Sequence, residues 1–161
     1  MQDNADLQHK LRLRSRALGN ARPRLVLDAF AGEGVITRML WRHVAGRVIC
    51  IEKQAGKARC LALGDSVEVV VGDNAQHAAL AAEADVIDCD AYGLAMPFIE
   101  RVAAYARPGA LVVFTDGTPV KARKVFSAER EFRQAAERML RGLHVERAAS
   151  GTTYYGYGWL R

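Results

Sequence analysis

The sequence contains no apolar run of about 18 or more residues, the length that a membrane-spanning helix requires. Its first residues are polar and charged, whereas a secretory signal carries an apolar segment. Both absences argue against membrane insertion and export. We therefore expect a cytoplasmic protein without a membrane partner.

Cysteine is scarce, and its pattern excludes two classes of small stabilised domain. The three cysteines, Cys50, Cys60 and Cys89, are odd in number and far apart in the sequence. Neither a disulfide framework nor a zinc motif has such spacing, so we predict buried free thiols. The sequence also shows no internal repeat and no low-complexity tract.

The chain has 161 residues, half of them hydrophobic, which suffices for one domain with a substantial core. Its charge is uneven, because residues 1–24 contribute four of the five net positive charges. We predict a basic N-terminal arm over residues 1–23 and a folded domain over residues 24–161. Such an arm suits an RNA phosphate backbone, but its leucines are equally compatible with a short docked helix.

Strand-like and helix-like segments alternate beyond the arm, which is typical of an open parallel sheet. Two further strands, Leu143 to Ser150 and Thr152 to Leu160, are joined at Gly151 by a connection that permits only antiparallel pairing. The other predicted strands cover residues 24–29, 47–52, 67–71, 85–89 and 110–115, and the predicted helices cover residues 35–45, 54–63, 74–83, 95–106 and 127–141.

The segment from Asp28 to Gly34 predicts a cofactor-binding turn, because an apolar strand runs through a carboxylate into two glycines and then a helix. A dinucleotide fingerprint would place a third glycine at position 37, where this chain has a threonine. Asp28 and Glu33 also put negative charge where a pyrophosphate would lie. They suit a ligand with an ammonium and a sulfonium, such as S-adenosylmethionine.

This order of elements and motifs resembles the class I S-adenosylmethionine-dependent methyltransferases over residues 24–161. The resemblance rests on Asp28, Phe30, Gly32 and Gly34 in the turn. It implies an α/β, Rossmann-like sheet of seven strands, mostly parallel with an antiparallel C-terminal hairpin and with helices on both faces.

Acidic residues at the ends of the second and third strands extend the resemblance. The resemblance implies that Glu52 holds the ribose hydroxyls and that Asp73 and Asn74 bind the adenine. The chemistry is sound, since carboxylates accept hydroxyl hydrogen bonds and ligands bind beyond the carboxyl ends of such strands.

The segment after the fourth strand resembles the tRNA guanine N2-methyltransferases, which form N2,N2-dimethylguanosine. Its sequence is Asp88-Cys89-Asp90-Ala91-Tyr92-Gly93, and a Pro97-Phe98 pair and a Thr115-Asp116 turn follow. Ala91 stands where that family has a proline that helps present a backbone carbonyl to the target amine. The resemblance implies RNA, tRNA in particular, as the substrate.

Methylation of a base amine requires groups that hold its protons and remove one of them, because its lone pair is delocalised into the ring. Asp90 is the predicted catalytic residue for both tasks, and Tyr92 would stack on the base or donate from its hydroxyl. Asp88 shares a strand face with Asp90, so we include it among the catalytic and cofactor-binding candidates, and expect the two carboxylates to raise one pKa. No metal is required.

Three other functions remain open from the sequence. The enzyme could methylate a protein side chain or a small molecule. Ala91 also permits an inactive S-adenosylmethionine-binding subunit, and a protein partner could supply substrate recognition. A nicotinamide oxidoreductase fits the turn least well.

Overall fold

The computed structural model describes residues 4–91, 93–117, 125–148 and 153–161. Its strands are β1 Leu25–Asp28, β2 Arg47–Glu52, β3 Val67–Val71, β4 Val86–Asp90, β5 Leu111–Gly117, β6 Leu140–Arg147 and β7 Thr153–Leu160. Within the described residues they form one sheet of order β3-β2-β1-β4-β5-β7-β6. The first five strands in this order are parallel to one another, and β7 pairs antiparallel with both β5 and β6. The predicted Rossmann-like sheet is therefore confirmed.

The helical segments follow the predicted order, with differences in length and type. The α-helices are α1 Asn4–Leu18, α2 Arg42–Val44, α3 Ala55–Ala58, α4 Met96–Ala103 and α5 Val125–Met139. A π-helical segment, Thr37–Trp41, leads into α2, and a 3-10 turn, Arg59–Leu61, follows α3. The predicted helix 74–83 is a ten-residue 3-10 segment, Asn74–Glu83. None of the described helices is long and apolar enough to cross a membrane.

One strand start and the burial of one cysteine differ from the predictions, and one prediction cannot be compared. Strand β6 begins at Leu140 instead of position 143, directly where α5 ends. The three cysteines are free, but Cys60 is exposed, so its predicted burial was wrong. The predicted turn at Gly151 lies outside the described residues.

Alternate side chains of the central strands feed two apolar cores, one on each face of the sheet, because successive strand residues point to opposite sides. Leu27, Ile87 and Phe114 pack with α4 and α5 on one face. The opposite face packs Val26 and Val113 against α1, Trp41 and neighbouring residues. Helical segments therefore cover both faces, as predicted.

Within the N-terminal segment, residues Asn4–Leu18 form α1, which packs into the second core. Leu13, Ala17 and Leu18 are buried there. This is the docked-helix alternative, and residues predicted as a separate arm thus share a core with the strands. The helix directs its two central cations, Lys10 and Arg14, towards the end of β4.

Helix α1 is fixed to the sheet by a fully buried ion pair. Arg14 donates from Nε to Asp88 Oδ2 and from Nη2 to Asp88 Oδ1, each at 2.7 Å. The indole Nε1 of Trp41 adds a third hydrogen bond to Oδ2, also at 2.7 Å. Burial opposes the charge on Arg14, but the negative charges of Asp88 and Asp90 outweigh it and raise its pKa. The bidentate geometry offsets the desolvation of both groups.

Replacing Arg14 should therefore destabilise the fold strongly. In Arg14→Met, the buried carboxylate of Asp88 loses its counter-charge, and we expect the free energy of unfolding to fall by about 3–5 kcal/mol. Urea unfolding followed by circular dichroism measures the change.

The double variant Arg14→Met/Asp88→Asn should regain most of that loss, because its neutral amide still accepts from Trp41. Arg12→Met removes an exposed cation from the same helix and should stay within about 0.5 kcal/mol of the wild type. A wild-type stability for Arg14→Met would contradict the role assigned to the pair.

Candidate functional site

A cavity of about 690 Å³ opens beyond the carboxyl ends of β1, β2, β3 and β4. Its size falls within the roughly 300–1,000 Å³ of pockets that hold small ligands. It brings together residues predicted from four separate segments of the sequence. The predicted residues that line it are Asp28, Phe30, Gly32, Glu52, Asp73, Asn74 and Asp90.

The glycine turn after β1 depends on two left-handed backbone positions, Gly32 with φ +56° and Gly34 with φ +75°. Gly34 does not line the cavity. A Cβ at this position would lie 2.3 Å from Leu61 Cδ2, so the glycine allows the turn to pack tightly against the chain behind it. Gly32 faces open space and provides the surface of the cavity.

Asp28 ends β1 as a buried carboxylate at the base of the cavity. It accepts a 2.5 Å hydrogen bond from the Thr37 hydroxyl, so the residue at the missing third-glycine position supports the acid. Burial and the negative charge of Asp88 raise the pKa of Asp28 to about 7, against the opposing effects of Thr37 and Arg14. A cation bound beside this carboxyl would favour its ionised form.

The acids of β2 and β3 are held in fixed orientations. Glu52 accepts a 2.7 Å hydrogen bond at Oε1 from the backbone N–H of Gln54. Asp73 caps the following 3-10 segment, since its Oδ1 accepts from the Ala75 N–H at 2.9 Å, and its Oδ2 lies 3.3 Å from Lys53 Nζ. The pKa of Asp73 is lowered, mainly by the hydrogen bond from the Ala75 N–H and next by the one from Lys53.

Two other predicted cofactor residues sit between the turn and these acids. Phe30 packs edge-on against Phe98, with ring centroids 5.2 Å apart. The side-chain nitrogen of Asn74 lies 3.5 Å from the carbonyl oxygen of Ala29. The Asn74 contact ties the cavity wall to the backbone of the glycine turn, and the Phe30 contact ties the turn to α4.

Asp90, at the end of β4, reaches the cavity and is paired with Lys10 of α1. The Lys10 ammonium donates a 3.1 Å hydrogen bond to Oδ2 and lies 2.9 Å from Oδ1. Arg14 Nη2 is 3.9 Å from Oδ2. Burial alone would raise the pKa of Asp90, but Arg14 and Lys10 outweigh it and lower the pKa, so the side chain is an anion.

The expected pKa rise within the Asp88–Asp90 pair was therefore wrong for Asp90, because two cations of α1 stand beside it. Asp88 raises the pKa of Asp28 instead. Asp88 itself is fully buried and does not line the cavity. Arg14 and Trp41 occupy its oxygens, so the structure does not bring it to the proposed ligand.

The loop after β4 is held by the end of β5. Asp116 is fully buried, and its Oδ2 accepts from the Ala95 N–H at 3.0 Å, just before α4. The Gly117 N–H donates to the Gly93 carbonyl at 2.9 Å. The Ala91 N–H donates to the Cys89 carbonyl at 2.9 Å, a bond that the proline of related motifs lacks. Tyr92 lies outside the described residues.

Sequence reasoning missed the residues that surround the predicted acids. Lys10, Arg14 and Trp41 were not connected with β4, and Lys53 and Lys57 were not expected on the cavity wall. A signal for the first two existed. Lys10 and Arg14 fall in the same helical stripe as the leucines of α1, where a charge requires a buried partner.

Solved structures match the chain almost end to end, whereas no protein-family model and no curated protein matches it. TYW2 from M. jannaschii, in complex with AdoMet, has a TM-score of 0.71 and 17% identity over 99% of this chain and 76% of its own. The chain has the Rossmann-like methyltransferase fold. The N-methyltransferase NodS from Bradyrhizobium japonicum, with S-adenosyl-L-homocysteine, gives a TM-score of 0.71 at 12% identity, over 99% and 89% of the chains.

A third structure with this methyltransferase fold is Trm1 from Pyrococcus horikoshii, in complex with S-adenosyl-L-methionine. It has a TM-score of 0.69 and 15% identity, and covers 96% of this chain but only 55% of its own. Identities this low establish the shared fold alone.

The raised pKa of Asp28 gives a pH-dependent stability that can be measured. Because the folded state binds this proton more tightly than the unfolded state, Asp28 favours folding below about pH 4. That contribution is lost as the pH rises towards about 7. We expect Asp28→Asn, which retains an acceptor for Thr37, to gain stability over the wild type by a few kcal/mol across this range.

Parallel denaturant titrations of the two proteins between pH 4 and pH 8 provide the comparison. The difference between their unfolding free energies should grow up to about pH 7 and then level off. A constant difference would show that Asp28 titrates normally.

Proposed function

We propose that this chain is an S-adenosylmethionine-dependent methyltransferase that methylates an exocyclic amine of a nucleobase, N2 of guanine in RNA. One observation carries the proposal. A single cavity joins the glycine turn, Glu52 and Asp73 to an ionised Asp90 at the end of the neighbouring strand.

The donor set of the cavity fits S-adenosylmethionine. Glu52 would hold the ribose hydroxyls, Asp73 and Asn74 the adenine, and Asp28 with the Gly32 backbone the positively charged methionine portion. When bound, the cofactor supplies an electrophilic methyl group on a sulfonium. Among the described residues, five acidic side chains line the cavity, namely Asp28, Glu33, Glu52, Asp73 and Asp90, and such a lining disfavours the pyrophosphate of a dinucleotide.

Asp90 is suited to an amine acceptor. Its carboxylate accepts amine N–H hydrogen bonds, and no donor among the described residues is aligned with its buried Oδ1, although the Lys10 ammonium is 2.9 Å away. The lowered pKa makes Asp90 a weak base. A weak base suffices to take the proton that the nitrogen sheds on methylation, because that proton is acidic next to an aromatic ring.

RNA is proposed from the motif that contains Asp90 and from the basic charge of the chain. The resemblance to the guanine N2-methyltransferases includes the Thr115-Asp116 pair, which lies in β5, and Asp116 anchors the loop beside Asp90. The N-terminal segment offers less positive charge to RNA than its composition implies, because Lys10 and Arg14 are buried. Phosphate contacts from this region would therefore come from its exposed arginines, Arg12, Arg16, Arg22 and Arg24.

The decisive experiment incubates the protein with labelled S-adenosylmethionine and either unmodified RNA transcripts or a protein extract. Nucleoside mass analysis should find methylated guanosine. Asp90→Asn should lower this transfer by about 100-fold or more, the range of acid–base contributions, while calorimetry finds cofactor affinity within a few-fold of the wild type.

Asp65→Asn, which changes an exposed carboxylate outside the cavity, is the matched control and should transfer at the wild-type rate. Label in protein alone would refute the RNA substrate. Cofactor binding without transfer to either pool would favour an inactive subunit, and no binding would refute the proposed function itself.

A further inference from the structure

Helix α1 places two cations against two carboxylates of β4 with matching spacing. Lys10 and Arg14 are one helical turn apart, and Asp90 and Asp88 are alternate residues on one strand face. Arg14 binds Asp88, and Lys10 binds Asp90. The two pairs have different surroundings, because Asp88 is closed off from the cavity whereas Asp90 lines it.

We propose that Lys10 is a positioning residue of the methyl-acceptor site, whose ammonium orients the Asp90 carboxylate and keeps it ionised for the incoming amine. This inference rests on the proposed function. Lys10 does not line the cavity, so it acts through Asp90 and not on the substrate.

The geometry around Lys10 supports this role. Its side chain is only 8% exposed, and Asp6, one turn earlier on α1, lies 3.5 Å from its Nζ. Asp6 in turn accepts a hydrogen bond from the Tyr155 hydroxyl of β7. The ammonium is thus anchored from the helix side, which fixes the position that it imposes on Asp90.

Several charged and polar groups face Asp90 from the surrounding elements. Arg14 adds positive charge from α1, Asp88 of β4 and Asp28 of β1 add negative charge, and Thr115 is the register neighbour on β5. Lys10 is the one cation with a hydrogen bond to Asp90 in the part of the chain that the structure describes. Without it, only Arg14 and Thr115 would oppose the effect of burial on Asp90, and Arg14 is already committed to Asp88.

Removing the ammonium should therefore change the titration of Asp90 and the chemical step. In Lys10→Met, we expect the pKa of Asp90 to rise by about one unit or more, as for a carboxylate that loses a close cation. The acid limb of the kcat profile should shift to higher pH by the same amount, since the ionised form acts. The plateau of kcat should fall by about ten-fold through lost alignment, with the KM for S-adenosylmethionine unchanged.

Carbon-detected NMR of protein labelled at the aspartate carboxyls measures the first effect without any substrate. Asp90→Asn assigns the signal, and Lys10→Arg should restore the wild-type titration and pH profile. Arg59→Met removes an exposed cation that does not line the cavity and should leave both midpoints in place. If Lys10→Met does not fold, the same titration is carried out on Lys10→Gln. The pKa of Asp90 in the wild-type protein is then the second measurement.

A low wild-type pKa that rises in Lys10→Met or Lys10→Gln would support the inference. An unchanged Asp90 titration, an ordinary value near about 3.9 in the wild type, or an unchanged pH profile would overturn it. Because the NMR titration needs neither cofactor nor RNA, its outcome is independent of the test for methyl transfer. A failed transfer assay with an intact Lys10 effect would refute only the proposed function.

Discussion

The buried pair between Arg14 and Asp88 is the interaction on which the rest of the arrangement depends. It fixes a polar N-terminal helix to the central strand of the sheet, 74 residues away in sequence. A buried charge pair is a poor source of net stability, but losing one partner is costly, so it specifies where the helix must lie. With α1 held there, Lys10 reaches Asp90, and Trp41 packs in the same core as α1 and donates to Asp88. One ion pair thus links the helix to the sheet and places Lys10 beside Asp90 at the cavity.

The three carboxylates on this face of β1 and β4 differ because their partners differ. Asp88 is neutralised by a bidentate guanidinium, and Asp90 by an ammonium with a second cation nearby. Asp28 has only a hydroxyl and the more distant Arg14 against burial and the charge of Asp88, so its pKa rises. The same residue type therefore supplies a structural anchor, an ionised acceptor and a carboxyl that titrates near neutrality.

Local pattern predicted most of the fold and much of the cavity. The apolar strands, the turn at Gly32 and Gly34, and the acids at three strand ends are features of short segments, and parallel topology then brings them to one edge. The side-chain pairs between residues far apart in the sequence were not predicted. Nothing near Asp88 in the sequence indicates that its partner is Arg14, and composition alone made the first residues resemble a solvated arm. The stripe of Leu7, Leu11 and Leu18 indicated a docked helix, but the partners of the cations within it depend on tertiary structure.

The position of α1 has a consequence for how the chain folds. Its partners include Asp88, Asp90 and Tyr155, at separations of 74, 80 and 149 residues. Contacts this distant form only after the intervening loops have closed, and they slow folding. Helix α1 therefore docks only after β4 and β7 have formed. The pairing of Lys10 with Asp90 thus forms late, and a chain paused before that step would expose the leucines of α1 and the uncovered face of the sheet.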